Sequence, residues 1–409
     1  MKVAGIIAEY NPFHKGHEYH ISKTRETTGA DYVIAVVSGD FVQRGEPSVI
    51  SKYHRTRQAL LGGADLVIEL PVVYATAGAE KFARGGISLL EALGVVDFVS
   101  FGCETDDMEK MSQLAKLLSA EPPEFKEELN KRLKAGETFP AAREAAVRLC
   151  LGDSPEIAEI LNSPNSILAL EYMKSLKTLG SKMEPVAVLR AGDGYNDSAS
   201  GTGFASATGI REKLLAEGPA QELAEFVPED VMKDFKDSFG REFPITPDDF
   251  VDLVGYKVKS ILAEGADLGD FEDLSEEIAN RLGKLDITWT SYGEVCEALK
   301  TKQYTYGRIS RSLIHILLGI KEVPETCGYA RLLGMRKGAS ELVRRISDIS
   351  GIPVITKPSK AGEVLEGKAL SCFEKDVFAS ELYEERVKKK YGGDASRFSE
   401  YRQNLIIVE

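Results

Sequence analysis

The sequence predicts an α/β protein. A parallel sheet flanked by helices is expected over residues 1–215, with a helical insertion at about 119–180. An acidic helical region follows over 216–299, and a basic C-terminal region over 300–409. Three observations carry this reading. Through residue 215, short β-branched runs alternate with longer amphipathic stretches, the pattern of strands joined by crossover helices. The segments that follow those strands are rich in polar, glycine or charged residues, as expected where the carboxyl ends of parallel strands converge on a ligand. Charge is unevenly spread: residues 300–409 hold 20 Lys and Arg against 14 Asp and Glu, a net +6, which leaves −19 for the first 299. Within that region, residues 300–360 hold 12 against 4, so the mean charge conceals a basic segment.

Taken in order, the strand candidates are Val3 to Ala8, Tyr32 to Val37, Leu66 to Leu70, Phe98 to Phe101 and Pro185 to Leu189. Glu18 to Thr28, Ser51 to Leu61, Glu80 to Leu93 and Asp107 to Leu118 read as helices between them. The insertion is mainly helical, broken at AEPPEF and again at Asn162-Ser163-Pro164-Asn165, before a helix through Leu179. In the acidic region, Thr246-Pro247-Asp248 has the form of a helix start. Trp289 and His315 read as packing residues.

A chain of 409 residues allows two or three domains. With 43% hydrophobic and 28% charged residues it falls in the ordinary globular class. Sixty-four acidic residues against 51 basic ones, −13 in all, argue against a uniformly positive coat for nucleic acid, though not against a local basic face. The first apolar run stops at Glu9 and no segment approaches 18 apolar residues, so no membrane association is expected and the cytoplasm is the expected location. Five cysteines, at 103, 150, 296, 327 and 372, are scattered and form no CxxC pair; they read as reduced thiols.

The strongest chemical signal is Glu9-Tyr10-Asn11-Pro12-Phe13-His14-Lys15-Gly16-His17, directly after the first strand and opening a helix. Two imidazoles three residues apart can face one site. Gly16 removes a Cβ that would block the backbone, and a helix start contributes free N–H donors. The arrangement suits nucleotidyl transfer, in which charge builds on phosphate oxygens. A metal reading of His14, His17 and His20 lacks an acid or cysteine at a matching interval, so no protein metal site is expected. Magnesium carried by ATP fits better.

The HxGH element resembles the superfamily of nucleotidyltransferases and class I aminoacyl-tRNA synthetases. More narrowly, GIIAEYNPFHKGHEYH, SGDFVQRGEPSVISK, GADLVIELP, FGCE, SPNSILALEY, SATGIR and YTYGRISRSLIHILL resemble the bacterial tRNA(Met) cytidine acetate ligases. That resemblance implies a Rossmann-like nucleotidyltransferase domain over 1–215. It implies activation of acetate by ATP as acetyl-adenylate, and acetylation of N4 of the wobble cytidine of elongator tRNA(Met). It further implies that ATP lies across Ile7, Ala8, Glu9, Tyr10, Asn11, Pro12, Phe13, His14, Lys15, Gly16, His17, Glu18, Tyr19 and His20, with contacts from Gly102, Asn165 and Arg190. His14 and His17 are the expected catalytic pair. Two positions depart from the family: Lys15, where many relatives have asparagine, and Asn196, where histidine is expected.

Other residues carry two readings each. Asp40, Gln43 and Arg44 follow the second strand and could contact acetate or cytidine, or form a solvated turn. Lys52 and Arg55 fit ordinary surface charge at least as well as function. Cys103 has no histidine nearby in sequence, and an adenylate route needs no thioester. Asn165 reads as a helix cap or a nucleotide contact, and Arg190 as a phosphate ligand or a surface ion pair. Ser206, Thr208 and Arg211 resemble a polyphosphate-binding signature, or an N-cap with a surface arginine. Lys302, Arg308, Arg311, Arg336, Lys337, Arg344 and Arg345, interleaved with Tyr304, Tyr306 and Tyr329, could grip phosphates and stack bases of tRNA, or form a solvated face. The expected partners are ATP, acetate and tRNA, with no stable protein partner. The rival functions are adenylylation of a small metabolite, and noncatalytic tRNA binding beside a relict nucleotide site.

Overall fold

Val33, Ala35 and Val37 pack on one face of the central sheet and Ile34 and Val36 on the other, so this run reads as continuously apolar rather than alternating. The computed structural model describes residues 1–105, 107–190, 206–393 and 398–409. The strands in chain order are β1 (Val3–Ala8), β2 (Tyr32–Ser38), β3 (Phe41–Val42), β4 (Glu46–Pro47), β5 (Leu66–Leu70), β6 (Phe98–Cys103), β7 (Glu184–Leu189), β8 (Ala330–Arg336), β9 (Val354–Ile355) and β10 (Ile406–Val408). Eight of them form one sheet in the order β10-β8-β5-β2-β1-β6-β7, with β9 on β8; β3 and β4 form a small hairpin.

The five expected strands are adjacent and mutually parallel. From β1 the chain passes through helix α1 (Lys15–Thr28) to β2, and through helix α2 (Lys52–Leu61) to β5, all on one side; β6 and β7 lie on the other. The direction of winding therefore reverses between β1 and β6, and the crevice at their carboxyl ends is where such sheets bind ligands.

The region after residue 300 supplies three more strands to the same sheet. β8 runs antiparallel to β5, pairing Glu69 with Arg331 and Leu66 with Met335, and β10 runs parallel to β8. Periodicity did not reveal β8 because a buried arginine interrupts it. Arg331 and Lys52, both fully buried, are shared out between Glu69 and Glu400: Lys52 Nζ is 2.7 Å from Glu69 and 2.6 Å from Glu400, and Arg331 pairs with both acids. Lys52 is thus not a surface charge. It sits where α2 crosses the end of β5, and the pairing makes its burial tolerable.

The expected insertion is helical: Pro123–Lys134, Phe139–Leu151, Pro155–Asn162 and Pro164–Thr178. Residues 216–299 are also helical, and a capping box of Thr246 and Asp249 opens the turn Pro247–Phe250. His315 is buried with both ring nitrogens bonded, to the carbonyls of Glu272 and Thr76, and Trp289 packs against the core. Asn196 lies outside the described residues.

One bridge fastens the helix Glu229–Ser238 to α2. His54 Nδ1 is 2.8 Å from Asp234 and Nε2 is 2.7 Å from Glu242. Burial alone would depress the imidazole, but these two carboxylates outweigh it and raise its pKa to about 9. The unfolded imidazole titrates near 6.5. The bridge therefore contributes fully below about pH 6.5 and is lost as pH rises through about 9, with a magnitude of about 2–3 kcal/mol. In thermal unfolding of wild type and His54→Gln, the difference in Tm should be largest near pH 6 and shrink above pH 9. A difference that stays constant with pH would show that the bridge does not titrate.

Candidate nucleotide-binding site

The turn between β1 and α1 is built from its own side chains. Tyr10 holds a left-handed backbone, φ 51°, which turns the chain sharply out of the sheet. His14 is the N-cap of α1: its Nδ1 accepts from the Gly16 N–H at 3.0 Å, and His17 Nδ1 accepts from the His14 N–H at 3.3 Å. This reciprocal cap starts the helix at Lys15, a turn earlier than the apolar pattern implies. The two rings stack, with centroids 3.7 Å apart, and Tyr10 meets the His17 ring edge-on at 4.8 Å.

The cap decides the protonation chemistry. A ring nitrogen that accepts an N–H bond carries no proton, so in both imidazoles the proton lies on Nε2. Burial, and then the Arg190 guanidinium, hold His14 down to about 3. His17 lies well below its ordinary value through burial, His14, Arg190 and His20. Both are thus neutral at physiological pH and offer N–H donors to an anion rather than protons to transfer. His20 faces elsewhere: its Nε2 is 3.0 Å from Ser100 Oγ, tying α1 to β6, and burial with Arg190 lowers it to about 4.

The neighbouring strand ends supply the rest. Arg190 follows β7, and its N–H donates to the Cys103 carbonyl at 3.1 Å. A Cβ on Gly102 would come no closer to a protein atom than 3.6 Å, so packing alone does not require glycine there. Glu104 accepts from the backbone and side chain of both Asn165 and Ser166, with the shortest contact 2.6 Å to Asn165 Nδ2. Those bonds outweigh burial and lower its pKa. Asn165 therefore lies in the first turn of its helix, fixed by the acid that ends the FGCE segment. In the sequence Glu104 carries no signal beyond its place at the end of the FGCE segment.

Ser206 caps the helix Ala207–Glu217 through Gly209 N–H at 3.1 Å. Arg211 donates to the Asn11 carbonyl at 2.7 Å and to Thr208 Oγ1 at 3.4 Å. These residues brace the histidine turn. The Lys15 ammonium donates to the carbonyls of Ala224 and Glu225, at 3.1 and 2.8 Å. Of the remaining turn residues, Ile7, Asn11 and Phe13 are buried, Ala8, Glu9 and Tyr19 are half-buried, and Glu18 is exposed. Among the described residues Tyr10 Oη and Asn11 Nδ2 are buried without a hydrogen-bond partner.

Asp40 is already committed within the protein. It is buried, and its Oδ1 accepts from the Lys52 N–H at 2.7 Å, capping α2. The hairpin tip holds Gln43, whose N–H donates to Glu9 at 3.0 Å, and the exposed Arg44. Gly45, φ 75°, lets the hairpin press on the helix Tyr306–Leu318: a Cβ would fall 2.2 Å from the Arg311 nitrogen, and Ser310 Oγ donates to the Gly45 carbonyl at 2.6 Å.

The basic residues divide between two places. Arg311 lies against the hairpin at Gly45 and is paired with Asp273 at 2.7 Å; Arg308, on the same helix, stacks on Tyr304, and Lys302 is exposed in the segment before that helix. Because β8 is antiparallel to β5, Arg336 and Lys337 lie at the amino ends of the parallel strands, with Lys337 paired to Glu409. Arg344 and Arg345 are exposed on the following helix, Ser340–Ile349. Tyr329 is buried against Asp376 and cannot stack on a base, while Tyr306 is exposed. Arg55, also taken for surface charge, is fully buried beneath the turn.

Among the described residues no group of three or more His, Cys, Asp or Glu could hold a metal ion, and no helix is long and apolar enough to cross a membrane. Nitrogen-15 spectra of the ligand-free protein should show His14 and His17 as neutral Nε2–H imidazoles from pH 5.5 to 8. A titration near 6.5 in either ring would contradict the assignment.

A family model described as HIGH Nucleotidyl Transferase matches residues 1–396. A protein of a Thermoanaerobacter species called tRNA(Met) cytidine acetate ligase is 40% identical over 388 residues, 94% of this chain and 95% of its own. One of the same name from Clostridium kluyveri is 41% identical over 378 residues, 90% and 92%. Another, from Acetivibrio thermocellus, is 34% identical over the whole of both chains. Crystal structures of Thermotoga maritima TmcAL superpose over all of this chain: the apo form with TM-score 0.90, 30% identity and 100% of its own chain covered, and the form bound with alpha-thio ATP with 0.87, 29% and 99%.

Proposed function

We infer that this chain, which belongs to the HIGH nucleotidyl transferase family and within it to the tRNA(Met) cytidine acetate ligases, is an ATP-dependent ligase that joins acetate to a tRNA cytidine. The observation that carries the mechanism is the stacked, neutral pair His14 and His17 at the start of α1, each with a proton on Nε2. Two neutral donors suit phosphate oxygens on which negative charge grows. Magnesium, travelling with the triphosphate, supplies charge neutralisation when it is bound.

In the first step an acetate oxygen attacks the α-phosphorus of ATP. The bond to the β-phosphate bridging oxygen breaks and pyrophosphate leaves, giving acetyl-adenylate. His14, His17 and Arg190 hold phosphate oxygens; no proton need move. In the second step N4 of the wobble cytidine of elongator tRNA(Met) attacks the acetyl carbon, the C–O bond to the phosphate breaks, AMP leaves, and N4 gives up one proton to solvent. Exclusion of water by the flanking loops would protect the mixed anhydride. Gly102 and Asn165 are assigned to ATP, as are Ser206, Thr208 and Arg211 through their hold on the turn. Gln43 and Arg44 are assigned to the second substrates. Arg336, Lys337, Arg344 and Arg345, with Lys302, Arg308 and Arg311, are assigned to tRNA.

With ATP, magnesium, bulk tRNA and labelled acetate, label should enter tRNA, and His17→Ala should slow it by about 10²- to 10³-fold. Label absent from tRNA with the wild type would remove the function, and label unaffected by His17→Ala would remove the mechanism. Truncation at residue 300 is no test of tRNA binding, because it would strip β8 and β10 from the sheet. Charge reversal is the cleaner probe. Arg344→Glu with Arg345→Glu should raise the KM for tRNA and flatten its salt dependence, by a log–log slope of roughly 2 if both neutralise phosphates. An unchanged slope would move tRNA contact away from this helix.

A further inference from the structure

Arg55 spends its hydrogen bonds unusually for a fully buried arginine. Among the described residues it donates to no carboxylate but to four main-chain carbonyls. Nε donates to Ile50 at 3.1 Å, Nη1 to Glu9 at 2.6 Å and Ser38 at 2.9 Å, and Nη2 to Gly39. Glu9 follows the last residue of β1, and Ser38 and Gly39 close β2. Between β1 and β2 the pairing ends at Ala8 and Val37, so these carbonyls lie at or just past the point where the two strands part. One guanidinium fork therefore joins the exits of both strands, one leading to the histidine turn and the other to the β3–β4 hairpin.

The same bonds orient the adjoining amides. In a trans peptide the N–H points opposite to the C=O. Fixing the carbonyls of Glu9, Ser38 and Gly39 thus turns the N–H groups of Tyr10, Gly39 and Asp40 away from Arg55. Arg211 grips the Asn11 carbonyl separately, so the turn that ends at His14 is anchored by two guanidinium groups, at residues 9 and 11.

We propose that Arg55 is a positioning residue of the reaction: its fork sets the histidine turn and the hairpin loop at the spacing needed for a carboxylate to attack the α-phosphate in line. The proposal rests on the ligase reading above. A lysine in its place keeps the charge but presents a point donor that cannot span carbonyls from two strands. The charged groups facing Arg55 are Asp40, Glu9 and Glu69, together with the Tyr383 hydroxyl.

The test compares Arg55→Lys with wild type in acetate-dependent ATP–pyrophosphate exchange, normalised to the folded fraction measured by circular dichroism at the assay temperature. Leu60→Ala, a buried change on the same helix away from both loops, serves as a control for stability loss alone. The expected result is a fall of about 100-fold in kcat for Arg55→Lys with the KM for ATP within threefold, and a kcat per folded molecule for Leu60→Ala within threefold of wild type. A kcat per folded molecule for Arg55→Lys within threefold of wild type would overturn the proposal. If wild type itself shows no acetate-dependent exchange, the ligase reading is what fails. Arg55 is then judged by the His14 and His17 nitrogen-15 shifts on adding ATP: altered shifts in Arg55→Lys sustain its positioning role, and identical ones overturn it. Should Arg55→Lys not fold, the same measurements on Arg55→Gln decide.

Discussion

Four charged side chains without access to water, Lys52, Glu69, Arg331 and Glu400, fix the frame on which the rest is hung. Such a cluster is weak as a source of stability, because each ion gives up its hydration. What it supplies is uniqueness of arrangement. Removing one member would leave another charge unpaired in the interior at about 3–5 kcal/mol, so helix α2, strand β5, strand β8 and the segment around residue 400 have one way to meet. With α2 so placed, its first turn receives the Asp40 cap and its second delivers Arg55 to the exits of β1 and β2. The geometry at the histidines is thus inherited from a charge cluster behind them.

The contrast between these two regions is chemical. Behind the strand ends, full charges are neutralised by full charges. At the turn, the two imidazoles are kept neutral by burial and by nearby Arg190, and their tautomer is set by the backbone they cap. A neutral donor does not have to shed a counter-ion when an anion arrives, so the site is preorganised for growing negative charge rather than for proton shuttling.

The five parallel strands β1, β2, β5, β6 and β7 were legible because both faces of a parallel sheet are apolar and the runs are short. The histidine turn was legible because residue type, spacing and its place after a strand all agreed. What escaped were residues whose burial contradicts their chemistry. Lys52 and Arg55 fit surface charge at least as well as function, since a sequence shows a cation but not the carboxylates or carbonyls that will surround it. Arg331 likewise sits in a basic segment that hides the buried strand β8. Nor does a sequence show the anchoring of Lys15 and Asp40: a lysine can reach carbonyls 209 and 210 residues away, and an aspartate can cap a helix 12 residues on.

The sheet order also governs how the protein is made. Strand β5 is flanked on one side by β2 and on the other by β8, which leaves the ribosome about 260 residues later, and Glu400 is later still. During that interval a nascent chain would carry an open strand edge and a lysine whose carboxylate partners are incomplete. An edge of this kind is a template for wrong pairing between chains. Synthesis of this fold therefore has a long window in which that edge has no partner from its own chain.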